Sequence, residues 1–302
     1  MKIAITGASG QIGSRLVPVL RADGHEVIRL VRRTPRTGDE HRWDPQHRRM
    51  DPSVLVDVDA VVNLAGASIT PRPWTRTYEE RLLTSRVDST ATISEALAAA
   101  AAADPGRPRI LLSGSGISYY GDTADRVVTE DDPQGAGFMA RMCAAWEDAA
   151  APAGAAGVRV AFLRTGLVIA GGAPLMKVLG LVFRLGLGGR IGSGQQYWPW
   201  IALADEIGAI RHLLATDVAG PVNLTAPDPV TNTEFTRTLG RVLRRPTPLP
   251  VPEFPLVLAL RDFGRCNVVG GQRALPTQLQ QSGYTFTETS LEGALRTAVR
   301  RG

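Results

Sequence analysis

Lys2-Ile3-Ala4-Ile5-Thr6-Gly7-Ala8-Ser9-Gly10-Gln11-Ile12-Gly13 runs from an apolar stretch into three glycines spaced G-x-x-G-x-x-G. Behind it Ile12, Leu16, Val19 and Leu20 fall on one face at helical spacing. The order is strand, tight turn, helix, and a second strand is expected over 26–31. Chemically this is a seat for a dinucleotide pyrophosphate. Gly7 permits a turn that a Cβ would obstruct, Gly10 lets the backbone approach the phosphates, and Gly13 lets helix and strand pack closely. The amides of Gln11 and Ile12 and the positive end of the helix dipole would face the anion. A glycine turn with no nucleotide is the plainer alternative.

The expected helix over 11–22 stops at Gly24, a suitable C-cap. The second strand then leads into Arg32-Arg33. A site for NAD favours an acidic residue near this strand end. An arginine there suits a 2′-phosphate, so Arg32, with Arg33 beside it, argues for NADP(H). In an arginine-rich chain an ordinary surface arginine is the competing reading.

Farther along, residues 34–56 are polar. Residues 59–66 read as a buried strand ending in a glycine turn, with Leu64, Ala65 and Gly66 beside the cofactor. A loop over 67–76 carries Trp74 and several arginines, and a helix over 78–102 follows. A strand over 109–113 enters Ser113-Gly114-Ser115-Gly116-Ile117-Ser118-Tyr119-Tyr120-Gly121-Asp122. A helix over 136–151 and a strand over 158–164 complete another α/β unit. The alternation predicts an α/β fold: a Rossmann-type doubly wound parallel sheet. A smaller, mixed and mainly helical C-terminal region should lie on the substrate side.

The second half changes character. Residues 171–194 are glycine-rich and would allow a lid to close. Trp198 and Trp200 wall a pocket or form a core pair. Helices are expected over 205–215 and 233–243, the latter capped by Thr231 or Asn232, with a strand over 221–225 between them. Residues 246–255 are proline-rich, a linker or an edge, and the tail over 256–302 is expected to be mainly helical, including 275–281 and 291–300.

Composition sets outer bounds. With 302 residues the chain is long enough for one large domain or two. The formal charge of +5 comes from scattered arginines, and lysine occurs only at positions 2 and 177. There is no long basic run and no aromatic interleaving, so nucleic acid is not an expected partner. No apolar run is long enough to span a membrane and no targeting segment is evident, so a cytoplasmic protein is expected. Cys143 and Cys266 fit no metal spacing and read as two buried thiols. No metal site is expected. A homodimer is compatible with the sequence, and nothing in it requires one.

Thr6-Gly-x-x-Gly-x-x-Gly13, Asn63-Leu-Ala-Gly66, Ser115 near Tyr119-Tyr120-Gly-Asp122, and Leu163-Arg-Thr-Gly166 resemble the extended short-chain dehydrogenase/reductases. More narrowly, the chain resembles their atypical NAD-dependent epimerase/dehydratase-like group, often described as sugar-nucleotide epimerases. Trp43-Asp-Pro45, Ser85-Arg86, Arg184-Leu-Gly-Leu-Gly-Gly189, Ile191-Gly-Ser-Gly194, Pro199-Trp-Ile201 and Gly220-Pro-Val-Asn223 support this. Gly270-Gly-Gln-Arg273 with Pro276 resembles the group's small C-terminal domain. The resemblance implies an NAD(P)-binding domain over 1–245, with substrate-side segments at about 166–200 and 225–245, and a small domain over 246–302. It implies that Gly7, Gly10 and Gly13 form the pyrophosphate loop and that Arg32 meets the 2′-phosphate. Leu64 to Gly66 would line the cofactor, Arg86 would reach it, and Leu163 and Arg164 would lie near the nicotinamide. A solvated helix charge is the alternative for Arg86.

The resemblance breaks at the chemistry. Superfamily members use a tyrosine with a lysine four residues later. Here no tyrosine has one; Met139 and Cys143 stand about where the pair is expected. Ser115 and Tyr120 are the candidates to replace it, or else a turn serine and a packed aromatic. The expectation is an NADP(H)-binding oxidoreductase or epimerase-like protein acting on a small carbonyl or sugar-nucleotide substrate. The alternative is a weakly active or inactive NADP(H)-binding redox sensor that engages a protein partner.

Overall fold

In the computed structural model, residues 1–69 and 74–300 are described. Residues 70–73 of the expected loop over 67–76, and the last two residues of the chain, lie outside that range.

Seven parallel strands form the central sheet: β1 (Lys2–Thr6), β2 (Glu26–Val31), β3 (Glu40–Arg42), β4 (Ala60–Asn63), β5 (Ile110–Gly116), and, after the short β6 (Val127–Val128), β7 (Arg159–Thr165). Next come β8 (Leu167–Ile169), β9 (Tyr197–Trp198) and β10 (Trp200–Ala202), then the seventh sheet strand β11 (Gly220–Leu224), followed by β12 (Val230–Thr231) and β13 (Arg273–Ala274). The sheet order is β11-β7-β5-β4-β1-β2-β3. The chain reverses direction across the sheet at β1 and β4, which pair in parallel. A crevice opens there beyond the strand ends, where such sheets bind ligands.

The helices are α1 (Gly13–Ala22), α2 (Arg76–Ala103), α3 (Phe138–Asp148), α4 (Ala151–Ala155), α5 (Pro174–Arg184), α6 (Leu203–Ala215), α7 (Asn232–Leu243), α8 (Glu253–Gly264), α9 (Thr277–Gln281) and α10 (Leu291–Arg300). Period-two alternation in β1 decides which helices cover which face. Ile3 and Ile5 pack with Leu16 and Leu20 of α1 and Ile210 and Leu213 of α6. Ala4 points the other way, into a core with Ile93 and Leu97 of α2 and Ala153 of α4. A third core joins α5, α7 and α10 through Phe183, Phe235 and Leu295, and contains Trp200, with Trp198 packed against it. The tryptophan pair therefore belongs to that core; Trp198 stands edge-on to Phe235 at 5.1 Å.

Several expected elements change in detail. The glycine-rich stretch over 171–194 contains α5. The helix expected over 136–151 ends at Asp148, and α4 follows after a break. The polar segment 34–56 supplies an edge strand, β3. The proline-rich segment forms a parallel bridge to the glycine-rich stretch, Val251 to Ile191. Thr231, rather than Asn232, caps α7, its hydroxyl accepting from the Glu234 amide at 3.2 Å.

Candidate cofactor and active site

The turn after β1 is built by what its glycines lack. Gly7 has φ +66°, and a Cβ there would stand 2.7 Å from the Leu64 carbonyl oxygen. A Cβ on Gly13 would collide with the Gly7 carbonyl. The Gly10 amide donates to that carbonyl at 2.8 Å and closes the turn. Helix α1 begins with no side-chain cap. Among the described residues, the amides of Gln11 and Ile12 donate to no acceptor in the chain. Free amides at a helix N-terminus over a turn that excludes Cβ atoms fit a phosphate.

Thr6 ties this turn to the next strand. Its Oγ1 donates to Asn63 Oδ1 at 2.6 Å and accepts from the amides of Leu64 and Ala65 at 3.0 and 3.1 Å. Asn63 Nδ2 donates to Thr90 Oγ1, which also accepts from the Trp146 indole. The network fixes the path of Leu64, Ala65 and Gly66 out of β4. Sequence reasoning missed it, because its members lie far apart and each is an ordinary polar residue taken singly.

The two arginines after β2 part company. Arg33 closes on Glu40 with two bonds of 2.7 Å and also donates to the Thr34 carbonyl. Arg32 is exposed and has no hydrogen bond or ion pair among the described residues. Arg86 is only 6% exposed. Its Nη1 donates to the Leu82 carbonyl at 3.1 Å, its guanidinium lies 5.0 Å from the Trp146 ring centre, and Nε has no partner. Its stem and guanidinium lie beside Gly66, where a Cβ would meet them at 3.5 Å, an ordinary contact. No carboxylate pairs with it, and burial lowers its pKa. The solvated-charge reading is thus corrected: this is a buried, desolvated cation.

At the ends of β5 and β7 a second network forms. Ser115 Oγ donates to Glu147 Oε1 at 2.6 Å. Arg164 grips the same carboxylate with Nε at 2.8 Å and Nη2 at 2.9 Å. Its Nη1 donates to the Tyr120 hydroxyl, which donates to Asn223 Oδ1 at 2.8 Å. The guanidinium lies 3.5 Å from the centre of the Tyr119 ring. Burial opposes the charge of Arg164, but the hydrogen-bonded Glu147 carboxylate outweighs it and raises the pKa. Tyr120 is 2% exposed and burial pushes its phenol up to about 12. The structure therefore brings Ser115 and Tyr120 together through Glu147 and Arg164. Leu163 is 1% exposed in the core with Ile5 and Val62. Its side chain supports the sheet. Among the described residues no cluster of three or more metal-ligating side chains occurs.

Residues 3–225 match the model of the NAD dependent epimerase/dehydratase family, and residues 251–298 match a domain of unknown function, DUF1731. The chain belongs to the NAD-dependent epimerase/dehydratase family. It is 43% identical over 300 residues to epimerase family protein Mb2239 of Mycobacterium bovis, covering 99% of this chain and 98% of that one. Human epimerase family protein SDR39U1 is 36% identical over 306 residues, covering 99% and 100%. The crystal structure of that human protein (isoform 2) with NADPH superposes with a TM-score of 0.85 over 99% of both chains, at 30% identity. MoeE5 in complex with UDP-glucuronic acid and NAD gives 0.77 over 99% and 98%, at 25% identity. The fold is thus that of a nicotinamide-dinucleotide-binding epimerase-family member.

Within this family the usual tyrosine and lysine would stand on the first turns of α3. Met139 and Cys143 there are buried. Cys143 abuts Gly116, and burial pushes its thiol up to about 12. The helix end is held from outside: Asp262 of α8 accepts from the Met139 amide at 3.0 Å. Met139 and Cys143 are packing surface here, and one turn farther along the same face Glu147 reaches Ser115 and Arg164.

Proposed function

We propose that the protein binds NADP(H) across the crevice at β1, β2 and β4 and uses it in an oxidoreductase or epimerase-like reaction on a small carbonyl or sugar-nucleotide substrate. The observation that carries this reading is the split between neighbouring arginines. Arg33 is consumed by Glu40, while Arg32 stays free at the end of β2. A free guanidinium there suits a 2′-phosphate. Gly7, Gly10, Gln11, Ile12 and Gly13 would hold the pyrophosphate. Leu64, Ala65 and Gly66 would line its path, and Arg86 would supply the buried counter-charge. The human relative crystallised with NADPH supports the same cofactor here. We read residues 1–245 as the dinucleotide-binding domain and 246–302 as the small domain packed over it.

When bound, the nicotinamide would accept or donate hydride. Ser115 Oγ, already donating to Glu147, has lone pairs left to accept from a substrate hydroxyl. Tyr120 acts through Arg164, as a positioning residue that keeps Glu147 in register. Arg32→Asp is expected to weaken NADPH binding about tenfold or more and NADH binding much less, because one charge-assisted contact is lost. Calorimetric titration with both nucleotides reads this directly. Equal loss for both would remove the 2′-phosphate assignment. Across a panel of carbonyl compounds and sugar nucleotides, Ser115→Ala should slow turnover. Tyr120→Phe should slow it while leaving the NADPH affinity unchanged.

A second reading has its own observation. The polar atoms where a proton relay belongs are engaged inside the protein, and Met139 and Cys143 of α3 stand where the usual tyrosine and lysine would. A redox sensor with tight NADPH binding would show no turnover on the panel. Its affinity for a protein partner would change with the oxidation state of the nucleotide.

A further inference from the structure

Large apolar side chains are exposed in one region far more than elsewhere. Leu181 is 59% exposed, and Leu185 and Leu187 follow it at the end of α5. Leu249 precedes α8, where Phe254 (75% exposed) and Leu258 stand in the open. The two segments touch. The Val251 amide donates to the Arg190 carbonyl at 2.7 Å and the Gly192 amide to the Val251 carbonyl at 3.0 Å. The leucines after α5 and those around the proline run therefore belong to one surface.

The charges on that surface are mainly positive, although the Glu253 carboxylate lies against Gly192. Residues 171–192 contain Lys177, Arg184 and Arg190 and no Asp or Glu. Residues 235–252 hold Arg237, Arg241, Arg244 and Arg245 with no carboxylate between Glu234 and Glu253; Arg241 pairs with Glu292, and Arg244 and Arg245, beside the proline run, join the three above. Those five cations are exposed and none is in an ion pair among the described residues. Prolines at 246, 248, 250 and 252 keep the segment between the helices from pairing as a strand.

We propose that this face docks on an anionic lipid surface, with the leucines and Phe254 entering the headgroup boundary and the cations meeting lipid phosphates. Exposed apolar side chains interleaved with unpaired cations are what such an interface requires. The charge pattern selects lipid over a second copy of the chain. A two-fold contact through this face would bring together more unpaired arginines than the Glu253 carboxylates could offset. Membrane spanning is not involved: among the described residues no helix is long and apolar enough to cross a bilayer.

The test is co-sedimentation with vesicles of phosphatidylcholine alone and of phosphatidylcholine mixed with phosphatidylglycerol, at low and high salt. The intact protein should sediment with the anionic vesicles at low salt and be released by salt. Leu181→Asp/Leu185→Asp, and separately Arg184→Glu/Arg245→Glu, should lower that partitioning at least about tenfold. All four positions are exposed, so NADPH titration of each variant should match the parent and show that the fold is intact. No binding to anionic vesicles, or binding that both variants retain, overturns the proposal. So does a solution dimer that Leu181→Asp/Leu185→Asp converts to monomer, which would assign the face to a second copy.

Discussion

Glu206 has no side-chain exposure; it accepts one hydrogen bond, from Thr165 Oγ1 at 3.0 Å, and its second oxygen has no partner. Burial without a cation raises its pKa from the ordinary 4.5 to about 8. An acid whose folded pKa is raised holds its proton in the native state after the unfolded chain has lost it. Stability is then full below the unfolded value and falls as pH climbs toward the folded one. From pH 4.5 to about 8 it should decline by up to about 1.4 kcal/mol per pH unit. Glu130, also raised by burial, adds to the same trend. Denaturant melts across that window should show the decline in the parent and a clearly flatter profile in Glu206→Gln. Identical profiles would mean that Glu206 is already ionised in the fold. The cofactor half of the site was legible residue by residue, because glycine spacing and an arginine at a strand end carry local meaning. The Ser115–Glu147–Arg164 group was not. Glu147 and Arg164 lie 17 positions apart on a helix and a strand, and only the packing of α3 on β5 brings them together.

Helix α3 shows how an element can depend on a distant residue. Its N-cap is Gly137, which offers no side chain, and the Asp262 carboxylate takes the Met139 amide instead. Asp262→Ala should cost about 1 kcal/mol, the usual worth of a capping acceptor, and Asp262→Asn should recover most of it. Thermal melts of the two variants decide it, and equal losses would leave only the charge as the cause. Among the other elements, β1, α1, β2, β4 and α2 were legible because each is long, periodic or bounded by turn residues. Strand β3 was not: Glu-His-Arg has no apolar alternation, and Glu40 is held by Arg29 and Arg33. Helix α8 was legible only as part of a mainly helical tail; prolines before it and a φ of +49° at Arg261 blur its bounds.

Over the whole molecule the C-terminal stretch threads back through the sheet-forming part. Gln272 donates to the Gly121 carbonyl, Ser118 to Asn267, and the Gly271 amide to Asp122. β13 pairs with β6. Asp205 at the start of α6 accepts from the Thr287 and Glu288 amides. The turn after β5, which carries both tyrosines and follows Ser115 at the strand end, is thereby clamped by residues 262–275. Cys143 of α3 and Cys266 just beyond α8 lie in the same small apolar cluster under that clamp, and burial pushes both thiols up to about 12. Neither can be alkylated while the clamp is shut, since the attacking species is the thiolate. The rate at which a thiol reagent modifies the native protein therefore counts departures of α8 from α3. Both cysteines should label together, slowly, and faster in Asp262→Ala. Mass spectrometry of a labelling time course would read the frequency of that opening from two residues already in the chain.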